Sequence, residues 1–139
     1  MDKAQFLIEQ AYVERKESNP SLALDLYQNA AEALRPLDEP LRLAHTIRHI
    51  ADIQRGLNLP EPAQANYAEA LAIYRAQPTT SKLDLANTLR GCALLSQSIG
   101  DIPAASSMWT EARELYRAVA VQAGVEEADR RLTMMSTDR

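Results

Sequence analysis

The chain is poor in the residues that usually announce a chemistry. It has one cysteine, Cys92, so no intramolecular disulfide can form, and a reducing, cytoplasmic setting is the expectation. Its four glycines form no phosphate-cradling loop, and no Ser or Cys stands in a nucleophile motif. One Phe and one Trp leave the core to Ala, Leu, Ile and five Tyr. A basic surplus is also missing: the formal net charge is −4, which argues against nucleic acid as the main ligand. No apolar run approaches the roughly 20 residues that span a bilayer. The opening "MDKAQFLIEQAYVERKES" lacks the apolar centre of a secretory signal. These absences point away from an enzyme, a membrane protein and a nucleic-acid binder.

What remains is a chain of 139 residues, 46% hydrophobic and 24% charged, rich in Ala and Leu. That is the size of one domain and the composition of an all-α protein. Small side chains of this kind suit closely packed helix pairs.

The chain repeats itself. Shifted by 42 residues, "LAHTIRHIADIQRGLNLPEPAQANYAEALAIYRA" (43–76) lies over "LANTLRGCALLSQSIGDIPAASSMWTEARELYRA" (85–118), and 11 of the 34 pairs are identical. Ordinary composition gives roughly two or three. A shift of 40 brings in the first third: Ala4, Ala11, Arg15, Ala23, Tyr27, Ala30 and Arg35 fall on Ala44, Ala51, Arg55, Ala63, Tyr67, Ala70 and Arg75. Breaks rich in Pro, Gly, Ser, Thr, Asn or Asp divide each unit into two helices: "ESNPS", "RPLDEP", "NLPEP", "AQPTTS" and "GD". The expected helices span about 2–16, 20–35, 40–57, 61–76, 81–99 and 102–121. One domain over 1–139 is expected, with units at about 2–36, 38–77 and 80–121. "VEEADRRLTMM", about 124–136, reads as a capping helix with a charged outer face.

These residues resemble the tetratricopeptide repeat family, in the longer variant found in kinesin light chains and bacterial signalling proteins. The family places a small residue late in the first helix, then Ala-x₃-aromatic and a further Ala in the second. Here the small residues are Ala11, Ala51 and Ala93. The second-helix elements are Ala23-x₃-Tyr27, Ala63-x₃-Tyr67 and Ala105-x₃-Trp109, followed by Ala30, Ala70 and Ala112. The chain departs from the pattern in its first helices, where Leu7, Ile47, Leu89, Glu14, Gln54 and Ser96 replace the family's aromatics. "GLNLPEP" also stands in the second unit where the third has "GD". The resemblance implies an α-solenoid of three antiparallel helical hairpins, a right-handed superhelix, closed by the C-terminal helix. It implies further that the first helix of each hairpin lines a concave peptide groove.

On that face the expected contacts are Tyr12 and Arg15 in unit one, and His45, Arg48, Asp52 and Arg55 in unit two. Asn87, Arg90, Leu94 and Gln97 follow in unit three. Arginine forks hold carboxylates bidentately and Asn pairs with peptide backbone, so the groove suits an acidic or C-terminal peptide. The family's carboxylate clamp is matched only at Arg48, Asn87 and Arg90. A competing reading makes Asp52 the centre of an ion-pair row with Arg48 and Arg55, with no ligand at all. His45 and His49, four apart with Asp52 beyond, are the one constellation with metal-ligand spacing. The Glu of the zincin motif is replaced by Thr46, Arg48 opposes a cation, and unit three has Asn87 and Gly91 instead. No metal, cofactor or catalytic residue is therefore expected. A protein or peptide partner is the first functional reading; a self-associating module, forming a homodimer, is the second.

Overall fold

The computed structural model describes residues 1–137. They form seven α-helices: α1 (Lys3–Lys16), α2 (Pro20–Leu34), α3 (Pro40–Gly56), α4 (Pro60–Ala76), α5 (Lys82–Ser98), α6 (Ile102–Ala118) and α7 (Gln122–Thr137). The chain separates into two compact units, Met1–Gln77 and the part from Pro78 onwards. In the first, α1 packs on α2, α2 on α3 and α3 on α4; in the second, α5 packs on α6 and α6 on α7.

Helix starts follow two local rules. Asp2, Ser81 and Asp101 accept the backbone N–H of Gln5, Asp84 and Ala104 and so cap α1, α5 and α6. Helices α2, α3 and α4 open instead on Pro20, Pro40 and Pro60, whose missing N–H costs nothing in a first turn. Four helix ends, those of α1, α3, α5 and α6, share one turn. Ser18, Asn58, Gly100 and Ala120 are left-handed, with φ of 64°, 60°, 86° and 58°. Each turn closes with paired bonds from the left-handed residue and its successor, such as Asn58 N–H to Arg55 C=O (3.1 Å) and Leu59 N–H to Gln54 C=O (2.9 Å). "GLNLPEP" and "GD" are thus the same turn, with Asn58 in the place of Gly100.

The repeat register is written in the buried residues. Ala11, Ala51 and Ala93, then Ala23, Ala63 and Ala105, then Ala30, Ala70 and Ala112 are all fully buried. Tyr27, Tyr67 and Trp109 are buried at one equivalent position, and Leu34, Tyr74 and Tyr116 at another. Alanine at a crossing lets two helix backbones approach, and one aromatic per hairpin fills the remaining gap. The register continues into α7: Ala128 lies 42 residues after Ala86 and is buried, and Met135 lies 42 after Ala93 and is buried too. The terminal helix therefore takes the place of a first helix, and it closes a cluster of Ala93, Ala105, Trp109, Ala128 and Met135.

Helix α7 begins two residues before the expected 124. Gly124 sits within the first turn of α7, two residues past its start, because the ring of Tyr116 lies against its Cα. A Cβ there would stand 2.4 Å from Tyr116 Cγ. Two substitutions in this turn should therefore have opposite signs. Gly124→Ala should destabilise by about 1–3 kcal/mol through overpacking, despite alanine's better helix propensity. Ala120→Gly should stabilise by about 1 kcal/mol by relieving a left-handed alanine. Chemical denaturation of the two variants checks both signs.

Candidate functional site

Helices α1 and α3 bring six of the sequence-selected residues into the first unit. His49 is the hub. Its ring lies flat on Tyr27 of α2, with centroids 5.2 Å apart and planes 9° from parallel. Its Nδ1 is 3.1 Å from Arg15 Nη1, and its Nε2 is 3.2 Å from His45 Nε2. A guanidinium only donates, so Nδ1 of His49 must accept and the proton must sit on Nε2. That N–H then donates to His45 Nε2. The row runs in one direction, Arg15 to His49 to His45, and needs a neutral His49. Burial, together with the charges of Arg48, His45 and Arg15, depresses the His49 pKa to about 3.

This row works against a cation at the pair. A cation held at both Nε2 atoms would put the His49 proton on Nδ1, against an N–H of Arg15. Among the described residues no group of three His, Cys, Asp or Glu side chains converges.

Arg48 and Asp52 are set deeper than their neighbours. Their Nη1 and Oδ2 are 3.4 Å apart, and each side chain is only 13% exposed. Asp52 also accepts a short hydrogen bond from the Tyr67 hydroxyl and lies 3.7 Å from Arg55 Nη2. Arg55 Nε donates to Tyr67 Oη at 3.1 Å. The Tyr67 pKa is raised, by burial first and by the Asp52 carboxylate second. The ion-pair row of Arg48, Asp52 and Arg55 is thus a half-buried network anchored on a core tyrosine. Arg15, Tyr12 and His45 stay exposed, and Lys16 Nζ lies 5.4 Å over the Tyr12 ring.

In the second unit the four selected residues of α5 are engaged by their own unit. Asn87 Oδ1 accepts from Tyr116 Oη at 2.7 Å. Gln97 Oε1 accepts from Trp109 Nε1 at 3.3 Å. Leu94 packs against the Trp109 cluster. Arg90 forms a two-pronged pair with Glu127 of α7, Nε to Oε1 and Nη2 to Oε2, the latter at 3.1 Å. Cys92 is buried beside them, and burial pushes its thiol up to about 11, far from a reactive thiolate.

Tyr27, Tyr67 and Glu127 are the participants that sequence reasoning passed over. A signal for the aromatics was present. Tyr27, Tyr67 and Trp109 each follow a first-helix residue, Arg15, Arg55 or Gln97, by 12 positions. At two of the three places that spacing brings the polar edge of the ring to the first-helix residue, Tyr67 to Arg55 and Trp109 to Gln97.

The depressed His49 pKa has a measurable sign. The unfolded chain binds a proton there below the ordinary value of 6.5, and the folded chain resists it down to about 3. The contribution is complete above pH 6.5 and is lost as the pH falls through that window, at up to about 1.4 kcal/mol per pH unit. Denaturation midpoints at pH 7, 5.5 and 4.5 should fall more steeply for the wild type than for His49→Gln.

No protein-family model matches the chain, and no curated protein matches it by sequence. Solved structures do. The chain is similar to the first TPR of Spaghetti (RPAP3) bound to the HSP90 peptide SRMEEVD, with a TM-score of 0.75 and 18% identity over 98% of this chain and 92% of that one. It is similar to BtubC (BKLC) from P. vanneervenii, with a TM-score of 0.73 and 16% identity over 97% of this chain. Aspartyl phosphate phosphatase F from Bacillus subtilis gives a TM-score of 0.83 and 16% identity, again over 97% of this chain. The chain spans 63% and 36% of the length of these last two. All-helical, with its helices packed pairwise in sequence order, the chain has a fold like that of the tetratricopeptide-repeat structures.

Proposed function

We propose that the chain is a protein-interaction module that binds an acidic or C-terminal peptide segment on the exposed flank of α1 and α3. The observation that carries this reading is the Arg15–His49–His45 row. It uses one N–H of the Arg15 guanidinium internally while the side chain stays exposed, and the remaining N–H donors suit an external carboxylate. Tyr12 and His45 flank it with an aromatic face and a polar ring, and Lys16 adds a second cation. Arg48 and Arg55 lie behind, held by Asp52, and contribute field more than contact. Two further facts support the reading. The second unit makes the same chemistry internally, where Glu127 places its carboxylate in the fork of Arg90. The similar RPAP3 structure carries an acidic peptide.

Asn87, Arg90, Leu94 and Gln97 belong to this proposal as the equivalent α5 set, but each is braced within its own unit, so the weight passes to Arg15. The 42-residue step from Pro40 to Lys82 and from Pro60 to Ile102 supports the longer, kinesin-light-chain-like variant. A cytoplasmic partner protein, with no cofactor and no nucleic acid, completes the proposal.

Fluorescence anisotropy with a labelled SRMEEVD peptide tests it. Binding should weaken as salt rises from about 50 mM to about 500 mM. Arg15→Glu should weaken it at least tenfold, about 1.4 kcal/mol, with an unchanged circular dichroism spectrum. Amidation of the peptide terminus separates terminal-carboxylate capture from side-chain capture. Equal affinity in wild type and Arg15→Glu would defeat the proposal.

A further inference from the structure

The outer flank of the first hairpin is built as an internal surface, and among the described residues α1 packs closely on α2 alone. Phe6, Gln10, Val13 and Glu14 of α1 are the register equivalents, 40 residues earlier, of Thr46, Ile50, Ile53 and Gln54 in α3. Those four α3 residues are buried. Ile50 and Ile53 pack into one cluster with Ala23, Tyr27 and Ala31 of α2. At the α1 positions the same geometry leaves Phe6 53% and Val13 49% exposed. With Leu22 and Leu26 of α2 they line a groove of about 570 Å³ whose remaining walls are Met1, Glu9, Gln10 and Glu14. A helix is what covers the equivalent face one repeat later, so a helix is what this face fits.

We propose that its occupant is the same face of a second copy of the chain, with the two α1 helices antiparallel about a twofold axis between Glu9 and Gln10. Two observations select this partner. Among the described residues, eleven large apolar side chains stay exposed, and four of them, Met1, Phe6, Val13 and Leu22, line this groove. The other seven, Tyr12, Leu37, Leu59, Leu83, Ile99, Val119 and Met134, lie outside it. A second copy brings the same gathered set of apolar side chains to the groove, which makes the contact isologous and closed. The second observation is that the exposed stripe of α1 is a palindrome of chemistry: Phe6, then Glu9-Gln10, then Val13. Antiparallel pairing sets Phe6 against Val13 of the second copy. It also sets the Gln10 amide, a donor, against the Glu9 carboxylate, an acceptor. A parallel pairing sets carboxylate beside carboxylate and is disfavoured.

This surface is independent of the peptide flank. At 100° per residue, Phe6, Gln10 and Val13 lie on the opposite side of α1 from Tyr12 and Arg15. The two proposals can therefore fail separately.

Sedimentation equilibrium on the full chain, from about 1 µM to about 500 µM, tests the dimer. The wild type should dimerise within that range. Phe6→Glu with Val13→Glu should weaken association at least a hundredfold, leaving a monomer with an unchanged circular dichroism spectrum and unchanged peptide affinity. Gln10→Glu should weaken the dimer at least tenfold by facing carboxylates, and Gln10→Lys should tighten it by supplying ion pairs to Glu9. A wild type that is monomeric throughout overturns the proposal, as does a double variant that still dimerises. If the double variant is monomeric but neither Gln10 change moves the constant, the antiparallel register is wrong.

Discussion

Close backbone approach at buried alanines is the constraint on which the rest of the structure depends. At each crossing one alanine from the first helix and one from the second remove the side chains that would hold two helices apart. Ala11, Ala51 and Ala93 meet this need in the first helices, and Ala23, Ala63 and Ala105 in the second. Little volume is then left, and one aromatic per hairpin fills it. Because Tyr67 and Trp109 carry that volume, their polar edges are delivered to fixed places on the neighbouring first helix. The chemistry of the exposed flank is a by-product of how the core is filled.

That relation decides which polar residues are available. Asp52 is tied to Tyr67, Gln97 to Trp109 and Asn87 to Tyr116, so three residues that face a groove on paper act as acceptors for core aromatics. Tyr27 differs, because His49 stacks on its ring and passes the contact on to Arg15 and His45. The first hairpin is thus the place where the aromatic position supports an exposed donor instead of consuming an internal acceptor. In the second unit Glu127 meets Arg90 from α7, and the cap does with a carboxylate what a ligand would do.

The fold was legible because its determinants repeat. Alanines at steps of 40 and 42, and prolines at helix starts, are local and periodic, and sequence comparison of the chain with itself finds them. The turns were harder, since Ser18, Asn58, Gly100 and Ala120 share a backbone conformation without sharing a residue type. Gly124 looked like punctuation and is a packing residue, because its reason lies in Tyr116, eight positions back across a turn. The candidate site was legible as a set of residues on one flank but not as a ranking of them. Depth separates Arg48 from Arg15, and depth depends on which helix covers which face. Charge partners such as Glu127 depend on where the terminal helix docks, which no periodicity in the first helices announces.

The shared turns carry a kinetic consequence. Helices that pack closely in this chain are neighbours in sequence, and each hairpin closes through a short left-handed reversal with its own paired bonds. Chain entropy is therefore lost in small local steps, with no long loop to close before contacts form. Proteins with such low contact order fold in the microsecond-to-millisecond range. Within each unit a hairpin can nucleate by itself and recruit the helices that pack on it, and a lesion in one turn is felt first by the hairpin that contains it.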